Sequence, residues 1–188
     1  MRGKKDSDPD KIRRRWVIFI TIFAFLLSVF MSTFSDILLR KSNTAVAFIV
    51  LIAIIFIGIL FDIIGVAVTV TDEKPFHSMA ASKVKGAKSS LMLIRNASRV
   101  SNVCNDVIGD ICGIISGATG ALIVAHITSG VSAGLKVVVS LLITGLVSAL
   151  TIGGKAAGKG IAVMCSSKVL ALCGRVLSVL PLKLDNRK

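Results

Sequence analysis

Four stretches of the chain, each 18 to 25 residues long, contain no aspartate, glutamate, lysine or arginine. About 20 consecutive apolar residues in a helix are enough to span the hydrocarbon core of a bilayer. The sequence therefore predicts an all-α integral membrane protein with four transmembrane helices. This class excludes an ordinary soluble enzyme, a disordered chain and a secreted disulfide scaffold. The four stretches are residues 16–35, 42–61, 111–135 and 137–154.

The charge of the chain is best explained by membrane topology. Of its 188 residues only 18% are charged, and the formal net charge is +13. In a soluble protein this excess would suggest nucleic-acid binding. Here the basic residues flank the apolar stretches, where loops that stay in the cytoplasm collect lysine and arginine. We therefore expect no nucleic-acid partner.

The basic residues divide unequally between the two sides of the predicted spans, which lie at about 16–39, 44–70, 100–127 and 136–153. Twenty of the 23 Lys and Arg residues lie before span one, between spans two and three, or after span four. Because basic loops remain inside, we expect a multi-pass protein of the cell membrane with both termini in the cytoplasm. Its basic side then faces the anionic inner leaflet of the bilayer.

The predicted cytoplasmic segments are 1–15, 72–99 and 155–188. In segment 72–99, Pro75 follows two acidic residues, an order typical of the first turn of a helix, and Gly86 interrupts the pattern. We therefore expect a juxtamembrane helical hairpin. In the tail, Ile161–Leu180 is amphipathic at a helical period, so this helix is predicted to lie in the interface or to pack on the bundle.

Five polar residues lie near the cytoplasmic ends of spans two and three. Asn102, Asp106 and Asp110 recur every four residues, which places them on one face of an α-helix. Asn105 borders that face, and Asp62 lies at the end of span two. Because an ionisable side chain facing lipid is costly, we expect this stripe to face the interior and to lie close to Asp62.

Two interpretations of the polar stripe are open. Carboxylate and amide oxygens are hard ligands that suit Mg²⁺, Ca²⁺ or Mn²⁺, and Ser28, Ser32 and Ser35 of span one would add hydroxyls if that helix packs nearby. Alternatively, the polar groups form a structural network between helices that approach through Gly113 and Gly117. The chain has no P-loop, HExxH or GxSxG motif and only one glutamate, so we do not expect an enzyme.

From about residue 53 to residue 180, the order of features resembles the transmembrane domain of the CNNM/CorC (CorB) magnesium-transporter family. In that family, one span ends in an F-S-x-S-E-x-A-type motif. A basic hairpin follows, and the next span opens with a G-N-N-x-x-N-like run. This chain has FDIIG from Phe61, its basic hairpin, and Asn105-Asp106 ahead of Asp110. A later stretch, LTIGGKAAGKG, resembles the F-G-E-x-x-P-K segment that precedes an amphipathic helix in the family.

The chain departs from the family pattern at its acidic positions. Asp62-Ile63-Ile64-Gly65 stands where the family has S-x-S-E, and the glutamate of F-G-E falls on or beside Gly154. The proline before the motif's lysine is absent. The resemblance covers the transmembrane domain and not the CBS pair.

The resemblance implies a transporter or exchanger for a divalent cation, in particular Mg²⁺. We also expect a homodimer, because four short spans make a thin bundle and their glycine-lined faces can receive a partner helix. In this interpretation a bound Mg²⁺ is the only small ligand expected, held by Asp62, Asn102, Asn105, Asp106 and Asp110. The altered motifs leave one alternative. It is a membrane regulator, subunit or assembly factor that keeps the fold without transporting an ion.

Overall fold

The structure, a computed structural model, describes residues 9–40 and 43–179, and these residues form helices and short connections without a strand. Most of the predicted 1–15 segment and residues 180–188 of the tail lie outside the described part. The elements are α1 (Pro9–Arg40), α2 (Thr44–Val70), α3 (Lys74–Ala81), α4 (Ala87–Arg95), α5 (Ala97–Ser101), a π-helix (Asn102–Gly109), α6 (Asp110–Ile127), α7 (Ala133–Met164) and α8 (Ser166–Val179).

The prediction of four long apolar helices is confirmed. Four helical rods are long and apolar enough to cross a membrane, and one of them joins α5, the π-helix and α6 without a break. Their apolar side chains remain largely exposed on the outside of the bundle, as suits helices surrounded by lipid. The candidate spans are Arg14–Thr33, Thr44–Val70, Ala97–Ile127 and Ala133–Met164.

Helix α2 is the centre of the bundle. Glycines make its closest contacts, because a glycine lets two helix backbones approach each other. On one side, a Cβ at Gly58 would lie 3.0 Å from the Cβ of Cys112 in α6. On another side, Gly158 of α7 packs against Ile63 of α2. Helix α1 covers the α2–α6 contact from outside through partly buried side chains: Ile20, Ala24, Leu27 and Met31.

Helix α7 continues to Met164, although the sequence analysis ended span four at 153 and began the tail helix at Ile161. The reason is continued packing, since Gly158 still contacts α2 and Ala162 is fully buried. Helix α7 ends with Cys165 as its C-cap, and α8 begins at Ser166.

The predicted hairpin is present as α3 and α4. Pro75 lies in the first turn of α3, and Gly86 separates the two helices with a φ of +87°, a backbone conformation that side chains other than glycine rarely adopt. The hairpin packs on the end of α2 and on α8. The buried side chains of this cluster are Val68, Phe76, Leu91 and Leu170.

Helix α8 lies on the hairpin through a different face from the one its amphipathic pattern suggests. Leu170 and Gly174 are buried, whereas two other apolar residues of the helix, Leu172 and Val176, are more than half exposed. Of the two predicted placements, the helix packs on the bundle, through the face that carries Leu170 and Gly174, and leaves Leu172 and Val176 outward.

Candidate functional site

Asp62 is the buried acid of the bundle. It lies on α2 between Gly58 and Gly65, and these three residues share the face that contacts the rod of α5, the π-helix and α6. Its side chain is only 5% exposed, and the carboxylate oxygen Oδ2 has no hydrogen-bond partner among the described residues. An unpaired buried carboxylate oxygen is expensive, so its presence calls for a physical explanation.

Asn105 of the π-helix is packed against the same face of α2. Its amide nitrogen Nδ2 donates to the hydroxyl of Ser101 over 3.2 Å, while its buried carbonyl oxygen Oδ1 has no hydrogen-bond partner in the described part of the chain. The amide group lies directly on the backbone of Gly65, where a Cβ would overlap it. Asp62 is one helical turn from Gly65, so two unpaired oxygens lie at neighbouring positions of one helix contact. We call Asp62 and Asn105 the oxygen pair.

The π-helix shapes this contact. It runs for eight residues, Asn102–Gly109, with backbone hydrogen bonds that span five residues instead of four. Such segments are rare and are frequently found at functional sites. The wider turn directs Cys104, Val107 and Gly109 into the protein.

The expectation that the whole polar stripe faces the interior is wrong for three of its residues. Asn102, Asp106 and Asp110 are exposed at the surface of the chain, and the side chain of Asp110 is 70% exposed. The prediction assumed the period of an α-helix, which the π-helix does not keep. Of the five predicted ligands, only Asp62 and Asn105 therefore have side chains at the contact between α2 and the rod.

Lys155 of α7 was not singled out by the sequence analysis, yet it reaches the π-helix. Its ammonium nitrogen donates to the carbonyl oxygen of Gly109 over 3.4 Å and lies 3.9 Å from Oδ1 of Asp110. The only sequence signal was its position directly after a charge-free stretch. A lysine there has a long stem that carries its charge away from the apolar layer.

The charge-free stretches end at one level of the bundle. Gly58 of α2 lies beside the carbonyl of Gly109, and Gly154 of α7 packs on Ile59 of α2. The charged residues that bound three of the stretches at this level, Asp62, Asp110 and Lys155, therefore form one layer, at the end of the bundle that carries the hairpin. Asp62 belongs to this layer, and Asn105 lies about one helical turn further toward the hairpin, against Gly65.

The ligand set is small. Among residues 9–40 and 43–179, no group of three or more His, Cys, Asp or Glu side chains is placed to hold a metal ion. The oxygen pair supplies one carboxylate and one amide carbonyl, and Mg²⁺ commonly takes one or two carboxylates and keeps several waters.

Ser32 lines a cavity of about 210 Å³ between α1 and α6, together with Thr33 and Thr119. Ser28 is partly buried, and the side chain of Ser35 lies outside the described part of the chain. No described contact links these hydroxyls to the oxygen pair.

A scan against protein-family models, a search of curated proteins and a search of solved structures each found no match to this chain. The resemblance to the CNNM/CorC family therefore stays a prediction from the residues.

Proposed function

We propose that this protein moves a divalent cation of the Mg²⁺ type across a membrane, and that Asp62 and Asn105 bind the ion. The observation that carries the proposal is the oxygen pair. These two buried oxygens have no hydrogen-bond donor within residues 9–40 and 43–179, and they lie at a π-helix in a candidate span. A hard cation satisfies such oxygens, and carboxylate and amide oxygens are the ligands it prefers.

The proposal places the protein in the cell membrane with both termini in the cytoplasm. The unequal distribution of lysine and arginine supports this orientation. The oxygen pair then lies near the cytoplasmic end of the spans, so the ion enters from or leaves to that side. The resemblance to the CNNM/CorC transmembrane domain points to the same class of transport.

The proposal includes a homodimer. Asn102 and Asp106 are exposed on a candidate span, where contact with lipid would be costly. Further along the rod, a Cβ at Gly113 or Gly117 would meet nothing within 4 Å, which leaves room for another helix. Light scattering of the purified protein in detergent should give twice the mass of one chain, and a monomer mass would contradict this part.

One observation favours the alternative of a non-transporting membrane regulator, subunit or assembly factor. Lys155 brings a positive charge within 3.9 Å of Asp110 and donates to the Gly109 carbonyl. A protein cation beside the π-helix partly fills the role that a metal ion would have there. In this alternative the polar residues only hold the helices together.

Flux into liposomes distinguishes the two functions. The full chain is reconstituted with a Mg²⁺-sensitive dye inside, and Asp62→Asn is compared with Asp72→Asn. Asp72 is an exposed acid whose Oδ1 accepts the Lys74 backbone N–H, a role that an amide oxygen also fills. We expect flux in the native protein and in Asp72→Asn and its loss in Asp62→Asn. No flux in the native protein would favour the regulator.

A further inference from the structure

The turn between the hairpin helices lies directly on α8. A Cβ at Gly86 would overlap the backbone of Gly174 and Arg175, and a Cβ at Gly174 would overlap Gly86 and Ser90. The hydroxyl of Ser90 is fully buried and donates to the carbonyl of Leu170 over 3.0 Å. This hydrogen bond fixes the contact of the hairpin turn with α8, which we call the crossing. Two segments almost 90 residues apart in sequence are therefore held together by a glycine-to-glycine contact.

This crossing gathers positive charge. Lys83 and Lys85 lie in the turn, Lys88 lies in the first turn of α4, and Arg175 lies beside Gly86 on α8. All four side chains are exposed, and none has an ion-pair partner among the described residues. The sequence has no Asp or Glu between 74 and 105 or between 111 and 184. The surface therefore lacks a neighbouring carboxylate as a counter-charge, and its like charges repel each other.

Apolar side chains surround this charge. Val84 lies between the two lysines of the turn and is 37% exposed, while Val176 and Leu172 flank Arg175 and are 55% and 63% exposed. A surface that mixes exposed apolar groups with lysine and arginine is typical of helices at a membrane interface. The crossing is also close to a candidate span, because Leu170 of α8 packs with Val68 near the end of α2.

We infer that this surface binds the phosphate groups of anionic phospholipids at the membrane face. We call it the headgroup surface, formed by Lys83, Lys85, Lys88 and Arg175 with Val84, Leu172 and Val176. The basic side chains supply the counter-charge of the lipid phosphates, and the apolar side chains insert between the lipids. The inference does not depend on ion transport, because none of these residues belongs to the oxygen pair.

The test measures thermal unfolding of the full chain in detergent with added lipid. Phosphatidylglycerol is compared with phosphatidylcholine of the same acyl chains, and inorganic phosphate at equal concentration forms a third arm. Lys85→Gln/Arg175→Gln removes two charges, and Lys85→Arg/Arg175→Lys keeps both as a matched control. Both positions are exposed, so neither variant opens the core.

We expect phosphatidylglycerol to raise the melting temperature of the native protein and of the charge-keeping control. The charge-removing variant should lose most of this shift, and phosphatidylcholine and inorganic phosphate should produce little of it. An equal shift with phosphatidylcholine would overturn the inference, as would a full shift in the charge-removing variant. An equal shift with inorganic phosphate would assign the surface to a soluble phosphate instead and would also overturn it.

Discussion

The ammonium group of Lys155 donates a hydrogen bond to the backbone carbonyl oxygen of Gly109, where the π-helix ends, at a distance of 3.4 Å. This contact joins α7 to the rod of α5, the π-helix and α6. The side chain of Lys155 is 22% exposed, so the hydrogen bond is only partly open to solvent. The neighbouring carboxylate of Asp110 is mostly exposed, so the hydrogen bond should stabilise the contact more than the ion pair does.

Replacing Lys155 should therefore matter more than replacing Asp110. Lys155→Met removes the donor to Gly109 and should lower the free energy of unfolding by about 1 kcal/mol. Asp110→Asn removes only an exposed ion pair at 3.9 Å and should change it by a few tenths of a kcal/mol. Thermal unfolding of both variants in one detergent measures the difference. Equal losses would show that the ion pair is the main contribution.

Gly65 has no side chain, and the amide of Asn105 occupies the space where a Cβ would lie. Gly65→Ala should push this side chain away from α2 and lower the free energy of unfolding by about 1–3 kcal/mol, as overpacking does. It should also abolish Mg²⁺ binding, because one oxygen of the pair is displaced. Gly145→Ala in α7 is the control, since a Cβ there would meet nothing within 4 Å. Unchanged Mg²⁺ binding in Gly65→Ala would remove Asn105 from the ion site.

Glu73 has its pKa held below the ordinary value near 4.5, chiefly by the hydrogen bond from Arg95, with a smaller effect of His77. The Arg95 Nε–Glu73 Oε1 distance is 2.8 Å. Because the pKa is lowered in the folded state, this contact is fully present above the ordinary pKa and is lost as the pH falls through the lowered value. Both side chains are exposed, so the effect on stability is small.

Glu73 is the only glutamate in the chain, so carboxyl-¹³C glutamate labelling gives one NMR signal to titrate. Arg95→Gln should raise the measured pKa toward its ordinary value, and His77→Gln should raise it less. A larger rise in His77→Gln would contradict the order of the two contacts.

The long helices follow from the sequence for a simple reason. Charge-free stretches of about 20 residues have no other stable arrangement in lipid, so their existence and type are fixed by composition alone. The hairpin could also be predicted from the sequence, because Pro75 favours a helix start and Gly86 favours a break between helices through local backbone effects. The end of α7 could not be predicted in this way, because Gly158 and Ala162 continue the helix through contacts with distant residues.

The candidate site was predicted only in part. Asp62 and Asn105 are inward-facing as expected, since an acid and an amide near the end of an apolar helix are best placed against another helix. Asp106 was assigned to the wrong face because residues 102–109 carry no local signal for a π-helix. The approach of Lys155 depends on how α7 crosses the rod, which the order of residues along the chain does not reveal.

The most direct measurement of the central claim is the melting temperature of the detergent-purified protein with and without millimolar Mg²⁺, at ionic strength matched with NaCl. A ligand that binds only the folded state at 100 times its Kd stabilises it by about 2.7 kcal/mol. If the oxygen pair holds the ion, Mg²⁺ raises the melting temperature of the native chain and of Asp72→Asn but not that of Asp62→Asn. No shift in the native chain, or the same shift in Asp62→Asn, would contradict the claim that Asp62 binds the cation.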